Sequence, residues 1–255
     1  MIAMKPHVLL VTAILSLPAL PASAAEPVER LEIVDKAIAF HGGELYRASE
    51  TELDVCSLSG CFHVRALVDG DRFDYEVSGK AGRRERRVRW TGEELARWED
   101  GAPAAVEPGD ARGLRDWVMA RVYFAFLPYR LNDPSVFKED LGRETWDGRE
   151  LHKVKVTFAP GSSTDAEDEY LYWFDPESGR VEQFAYSFQG RPGGLRFRRA
   201  VNHRRVGGVL FSDQENLGVE GDKWRVDEIT PSFVEGKMRT VSVVRFENVE
   251  VRPLR

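Results

Sequence analysis

The sequence has 255 residues, with 36 lysines and arginines against 42 aspartates and glutamates, a formal net charge of −6. That sign excludes a general nucleic-acid binder, which needs an excess of basic surface to meet phosphate. At this length about 70% or more of the unfolded surface is buried on folding, enough for one large all-β domain. No long low-complexity linker or second composition regime divides the chain.

The first residues read as a secretory signal, residues 1–24, ahead of a single domain at 25–255. Lys5 supplies a positive start, Val8 to Leu20 a short apolar run, and Ala22-Ser23-Ala24 a small-residue cleavage site before Ala25. The run is shorter than the roughly 20 residues that span a bilayer, which weighs against a retained anchor. No cysteine follows the cleavage site, which weighs against a lipid-anchored form. The expected destination is the bacterial periplasm or the medium, and export again argues against a nucleic-acid partner. Both cysteines lie in Cys56-Ser57-Leu58-Ser59-Gly60-Cys61. A two-residue hairpin loop at Leu58-Ser59 sets Cys56 opposite Cys61, and in an oxidising compartment the pair reads as a disulfide staple. There is no C-x-x-C motif, and two thiols without histidine partners make a poor zinc site.

Pro27 to Phe40 has the spacing of an amphipathic helix, with a Leu31, Val34, Ile38 stripe and a Gly42-Gly43 stop. His41 is a candidate ligand, although a histidine in a last turn more simply serves the C-terminal carbonyls. From Glu52 to Trp98 successive segments alternate apolar and polar residues: Leu53/Val55, Phe62/Val64/Ala66/Val68, Phe73/Tyr75/Val77, then Val88/Trp90 and Leu95/Trp98. Such alternation implies an antiparallel sheet with one buried and one solvated face. The basic run Arg83-Arg84-Glu85-Arg86-Arg87, with Arg89, suits an anionic headgroup or acidic partner, or more simply blunts an exposed strand or edge.

Gly101 to Gly109 reads as a loop. Asp110 then caps a helix over Ala111 to Leu127, in which Leu114, Trp117, Val118, Val122 and Ala125 recur at helical spacing. Phe124, Phe126 and Leu127 widen its apolar surface beyond one stripe, which implies burial on two sides or contact with something apolar. Pro128 ends it. Leu127-Pro128-Tyr129-Arg130-Leu131-Asn132-Asp133-Pro134 follows as a shaped loop in which Arg130 and Asp133 either hold a ligand or pair with each other.

Strands resume at Thr145-Trp146 and Leu151 to Phe158, and the chain centres on a hairpin of bulky residues. Glu169 to Phe174 enters it, Asp175-Pro176-Glu177-Ser178-Gly179 turns it, and Val181 to Phe188 leaves with Phe184, Tyr186 and Phe188 spaced by two. Leu195 to Asn202, Val209 to Phe211, Lys223 to Ile229 and Met238 to Val249 complete a meander. No catalytic constellation stands out: there is no G-x-S-x-G, H-E-x-x-H or Gly-rich phosphate loop, and no cofactor motif. Asp165, Glu167, Asp168 and Glu169 lack EF-hand spacing and read as a solvated loop. His152 is isolated, and His203 with Asp165 or Asp168 is the weak basis of a hydrolase reading.

Tyr172-Trp173-Phe174-Asp175-Pro176-Glu177-Ser178-Gly179 is similar to the W-x-D-P-E-T-G hairpin of LolA-like proteins, a group that includes periplasmic lipoprotein carriers. The order of signal, helix, long meander and inserted apolar helix fits that group as well. Leu127 to Pro134, the aromatic hairpin, and Arg196-Phe197-Arg198-Arg199-Ala200 followed by Asn202 resemble a family of uncharacterised secreted bacterial proteins over most of the mature chain. The first resemblance implies an α+β fold, a single curved antiparallel sheet (a half-barrel) wrapped around two or more helices, with acyl chains bound between sheet and helices. The second implies no activity.

The resulting expectation is a monomeric, non-catalytic periplasmic or secreted protein that binds a lipid, acylated or other hydrophobic molecule. Its candidate ligand-binding residues are Trp117, Phe124 and Phe126 from the helix, Tyr172, Phe184 and Tyr186 from the sheet, and Arg130 at the rim. Neither a cofactor nor a metal is expected. The rival expectations are an envelope protein-protein interaction module and a hydrolase with a His/carboxylate site. A filled aromatic core is the packing alternative to a cavity.

Overall fold

The computed structural model describes residues 30–161, 167–188, 194–218 and 225–255. Its described strands join in one open antiparallel sheet of 13 strands. In chain order they are β1 (Ala48–Ser57), β2 (Gly60–Asp69), β3 (Arg72–Ala81), β4 (Arg84–Trp90), β5 (Leu95–Glu99), β6 (Ala102–Ala104), β7 (Val136–Trp146), β8 (Arg149–Phe158), β9 (Tyr170–Phe174), β10 (Val181–Phe188), β11 (Gly194–Val206), β12 (Val209–Gly218) and β13 (Arg239–Pro253). The helices are α1 (Glu32–His41), the single turn α2 (Glu44–Arg47), α3 (Ala111–Ala125) and α4 (Pro231–Lys237), with 3-10 turns at Tyr129–Asn132 and Val226–Glu228. The expected architecture, a curved antiparallel sheet around helices, is the one the chain forms. Among the described residues no helix is long and apolar enough to cross a membrane.

Spatial order runs β6 to β1, then β13 to β7. Each half is a run of sequence neighbours, and the single seam between halves is β1 against β13, with Val55 opposite Phe246. The β1–β2 hairpin has the expected register: Ser57 faces Gly60, Cys56 faces Cys61, and the two cysteines are disulfide-bonded.

The concave face is lined by Leu53, Phe62, Val64, Tyr75, Val77 and Val88 in one half and by Val154, Val156, Tyr172, Phe174 and Phe184 in the other. α3 lies across both. Its Leu114, Val118, Val122 and Ala125 enter the first cluster, while Tyr123 and Phe124 pack on the second. α1 covers the second cluster with Ile33, Val34 and Ala37.

The convex face departs from simple alternation. Over β1 to β4 it is polar, and side chains pair across strands: Arg89 with Asp74 at 2.7 Å and, by a hydrogen bond, His63 with Asp54 at 2.9 Å. Over β7 to β12 it carries a further core of Trp146, Leu171, Trp173, Leu195 and Phe197, capped by Val226, Ile229, Phe233 and Val234. All five residues of β9 are buried as a result. The expected penultimate strand at Lys223 to Ile229 is corrected here: the described part forms the Val226–Glu228 turn leading to α4, with Thr230 Oγ1 capping the Phe233 N–H and Pro231 in the first turn. Two indoles, Trp146 and Trp173, donate to one carboxylate oxygen of Glu144, at 2.8 and 2.7 Å, so their N–H groups are satisfied inside that core.

Other boundaries move. α1 begins at Glu32, and α3 stops at Ala125 rather than Leu127, two residues short of the expected end before Pro128. The Asp110 side chain does not cap α3 but accepts from Arg97 at 3.1 Å. The loop expected from Gly101 contains the short strand β6. The basic run is not at an edge: β4 is paired on both sides, Arg86 bonding Glu99 and Arg87 lying over Trp98. The proposed leader and Asp165 lie outside the described residues.

Candidate functional site

The site is the seam where the last turn of α3 meets β9, β10 and β11. Strand alternation aims Tyr170 and Tyr172 of β9, and Phe184 and Tyr186 of β10, at the concave side. Phe184 stands opposite Tyr172, and Tyr186 opposite Tyr170. Their rings stack: Tyr172–Phe184 at 5.7 Å between centroids, Tyr170–Tyr186 at 5.1 Å. α3 lays Phe124 on this wall, 5.8 Å from Phe184 and 5.3 Å from Tyr186. Tyr123 adds a hydroxyl–hydroxyl bond to Tyr172 at 2.8 Å, and burial pushes the Tyr123 hydroxyl up to about 12, so it stays protonated.

β11 contributes the polar member. Leu195 and Phe197 point to the convex core, which turns Arg198 to the concave side. Its guanidinium lies 4.1 Å from the Phe124 ring centroid. It donates to Gln214 Oε1 at 2.6 Å and to the Tyr186 hydroxyl at 2.9 Å. The Gln214 amide donates in turn to the Phe124 carbonyl at 2.7 Å, tying α3 to β12. Arg198 Nε is buried with no partner among the described residues.

Beyond this layer is a cavity of about 20 Å³, lined by His41, Phe124, Phe184, Ser212, Gln214 and Phe246 among others. That is room for about one water. A second, of about 10 Å³, lies by Tyr46, Thr51, Tyr75 and Tyr129. The concave side is therefore filled in this conformation. His41 does not serve the α1 carbonyls. Its Nε2 accepts the Val181 N–H at 3.1 Å, leaving the proton on Nδ1. Burial, reinforced by Arg205, His203 and Arg180, pulls its pKa down to about 3, so the ring is neutral.

Of the expected ligand residues, Phe124, Tyr172, Phe184 and Tyr186 come together in this seam. Phe126 turns the other way, edge-on to Tyr46 and Phe211. Trp117 sits against Phe62, with the Arg121 guanidinium over both rings. Arg130 pairs with Asp133 at 2.7 Å and reaches the Tyr75 hydroxyl, so these two charges fix the loop between α3 and β7. Arg198, Gln214 and Tyr123 were not among the expected residues. The readable signal for Arg198 was period two: with Leu195 and Phe197 buried on one face, Arg196 and Arg198 have to share the other. His152 bonds Asp140, and His203 bonds Ser212 Oγ at 2.7 Å. Among the described residues no group of three or more His, Cys, Asp or Glu gathers as a metal site.

The molecule is thus an open antiparallel sheet whose concave aromatic wall is covered by a helix. Residues 110–246 match DUF6503, a family of unknown function, and the chain belongs to that family. No curated protein matches it. Among solved structures it is similar to a DUF1329 family protein from Desulfovibrio piger, with TM-score 0.49, 11% identity, and 86% of this chain and 91% of that one covered. It is also similar to a LolA superfamily protein from Nitrosomonas europaea, with TM-score 0.48, 13% identity, and 88% and 93% covered. At such identities neither carries a ligand or an activity across to this chain.

Proposed function

We propose that this protein binds an apolar or acylated molecule in the cell envelope, as a monomer and without catalysis, between α3 and the aromatic wall of β9 and β10. One observation carries the reading: the helix meets the sheet through stacked ring faces, Phe124 on Phe184 and Tyr186, continuing to Tyr172 and Tyr170. Flat apolar surfaces part without leaving interlocked side chains behind, and an alkyl chain replaces one of them at little cost in contact.

Ligand pockets measure roughly 300–1,000 Å³, against cavities of about 20 and 10 Å³ here. The ligand therefore takes the space that Phe124 fills, and α3 lifts to admit it. The helix has weak end stabilisation of its own: the N-cap Asp110 makes no side-chain cap bond, the first turn has no acidic residue and the last turn no basic one, so its ends are held by Arg97 at Asp110 and by Gln214 at the Phe124 carbonyl. A helix of 15 residues is marginal on its own, so it depends on this seam. The Cys56–Cys61 disulfide supports an oxidising compartment and hence export.

The test is native mass spectrometry of protein purified from the envelope fraction without detergent, with organic extraction. Extra mass that extracts as lipid is expected. A bare protein that stays bare after incubation with phospholipid vesicles overturns the reading. A second reading, strand addition by an envelope protein, is favoured by one feature. The outer strand β7 presents Phe137 and Leu141, 54% and 40% exposed, beside a backbone edge that no other described strand pairs with. Co-purification of a protein in place of a lipid would select it.

A further inference from the structure

Many arginines of this molecule sit beside a carboxylate, and Arg198 does not. Arg65, Arg86, Arg89, Arg97, Arg130 and Arg149 each have a carboxylate within 4.0 Å. Arg198 has none among the described residues, although it is partly withdrawn from water and roofed by Phe124. A guanidinium carries five N–H donors. Two protein acceptors, Gln214 Oε1 and the Tyr186 hydroxyl, engage Arg198, while Nε is buried and unused. Neutral acceptors orient the charge without neutralising it. His41, across the cavity, is neutral and supplies no anion.

The two residues that hold the fork, Gln214 on β12 and Tyr186 on β10, belong to the sheet, so it stays positioned when α3 leaves. What the departing helix removes is its cover, Phe124. Arg121, which also has no carboxylate within 4.0 Å among the described residues, donates to the Trp117 carbonyl of α3 itself and would move with it.

We propose that Arg198 is the seat of an anionic headgroup, a carboxylate or a phosphate, so that the ligand is an anionic amphiphile whose alkyl chain lies along Tyr186, Phe184 and Tyr172. This rests on the hydrophobic-ligand reading above and narrows it. An anion on Nε and the free Nη hydrogens makes charge-assisted, two-point contact in a poorly hydrated site, where such contacts are strongest.

Three probes of one chain length separate the ideas: hexadecanoate, hexadecyl phosphate and hexadecanol, each titrated by calorimetry below its aggregation concentration. The wild type is expected to bind at least one of the two anions about 10-fold or more tighter than the alcohol. The favoured anion tells a fatty-acid source from a phosphorylated one. Arg198→Gln is expected to bring acid and alcohol to parity, while Arg198→Lys keeps much of the preference, which separates loss of charge from loss of fold. Equal binding of all three probes by the wild type overturns the headgroup proposal and leaves the hydrophobic reading standing. So does an anion preference that survives in Arg198→Gln. Binding of none overturns both.

Discussion

At the scale of single residues, the buried polar groups say most about how this interior works. His41 is 3% exposed and neutral, with a pKa near 3 against 6.5 in an unfolded chain. Protons therefore bind the unfolded chain in preference. The stability this histidine contributes is whole above pH 6.5, falls as pH drops below that value, and is gone by about pH 3. Each unit below 6.5 removes about 1.4 kcal/mol, so urea unfolding at pH 5 should give about 2 kcal/mol less than at pH 7. His41→Gln should lack most of that slope. A wild-type midpoint that does not move between the two pH values would contradict the placement of a neutral ring against the Val181 N–H.

The same scale shows what sequence patterns reveal and what they hide. The partnership of Cys56 and Cys61 was readable because hairpin register follows from loop length. Phe124, Tyr172, Phe184 and Tyr186 were readable as one apolar group because helical and strand periods aim them inward. The separation of Phe126 and Trp117 from that group was not, since it depends on how α3 is rotated over a curved sheet. Nor was the pairing of Arg130 with Asp133, where the local pattern allowed a ligand equally well. Arg198 was hidden for a different reason: a basic residue facing a concave core contradicts the rule by which inward faces are recognised.

At the scale of elements, the turn of the central hairpin is built to meet α1. Asp175 Oδ1 accepts from the Ser178 N–H at 2.7 Å and the Ser178 hydroxyl at 2.8 Å, and Gly179 N–H returns to the Asp175 carbonyl at 2.8 Å. Lys36 Nζ reaches the Pro176 carbonyl at 3.0 Å. Gly179 has φ +80, and a Cβ there would stand 2.7 Å from the Ala37 backbone nitrogen. Two costs thus coincide at one residue: a left-handed backbone and a collision with a helix that cannot yield locally. Gly179→Ala should destabilise by about 2 kcal/mol or more, read as a fall in Tm of roughly 5 °C. An unchanged Tm would mean that α1 shifts freely on the turn. Seen this way, the D-P-E-S-G segment is a docking device for the first helix. A sequence shows the turn chemistry plainly and the docked partner not at all, because Ala37 and Gly179 meet only in three dimensions. The convex core was missed on the same ground. Residues 226–238 contain valine, isoleucine and phenylalanine at spacings that suit a strand as well as a short helix, and the choice is made by the Trp173 and Phe197 surface they cover.

At the scale of the whole molecule, the two runs of neighbouring strands pair with each other, among the described residues, through β1 and β13, and Phe246 lies buried at that seam. Phe246→Ala should cost about 3–5 kcal/mol, as large aromatic truncations do in well-filled interiors. Far-ultraviolet dichroism and tryptophan fluorescence should still report one coincident urea transition, since neither half has its helix cover without the other. Two separated transitions would show that the halves are independent units.

The placement of β13 also has a consequence for the order in which the chain can be assembled. Emerging from the ribosome, each earlier strand finds its neighbour already made: β2 on β1, and so outward to β6, then β8 on β7, and so inward to β12. The strand that belongs in the middle is the last delivered of the described strands. Until residues 239–253 arrive, β1 and β12 are inner edges without the partner they pair with in the fold. The nascent protein is thus two sticky ribbons awaiting a shared keystone, and anything that delays the final segment prolongs the interval in which those ribbons can pair with the wrong partner.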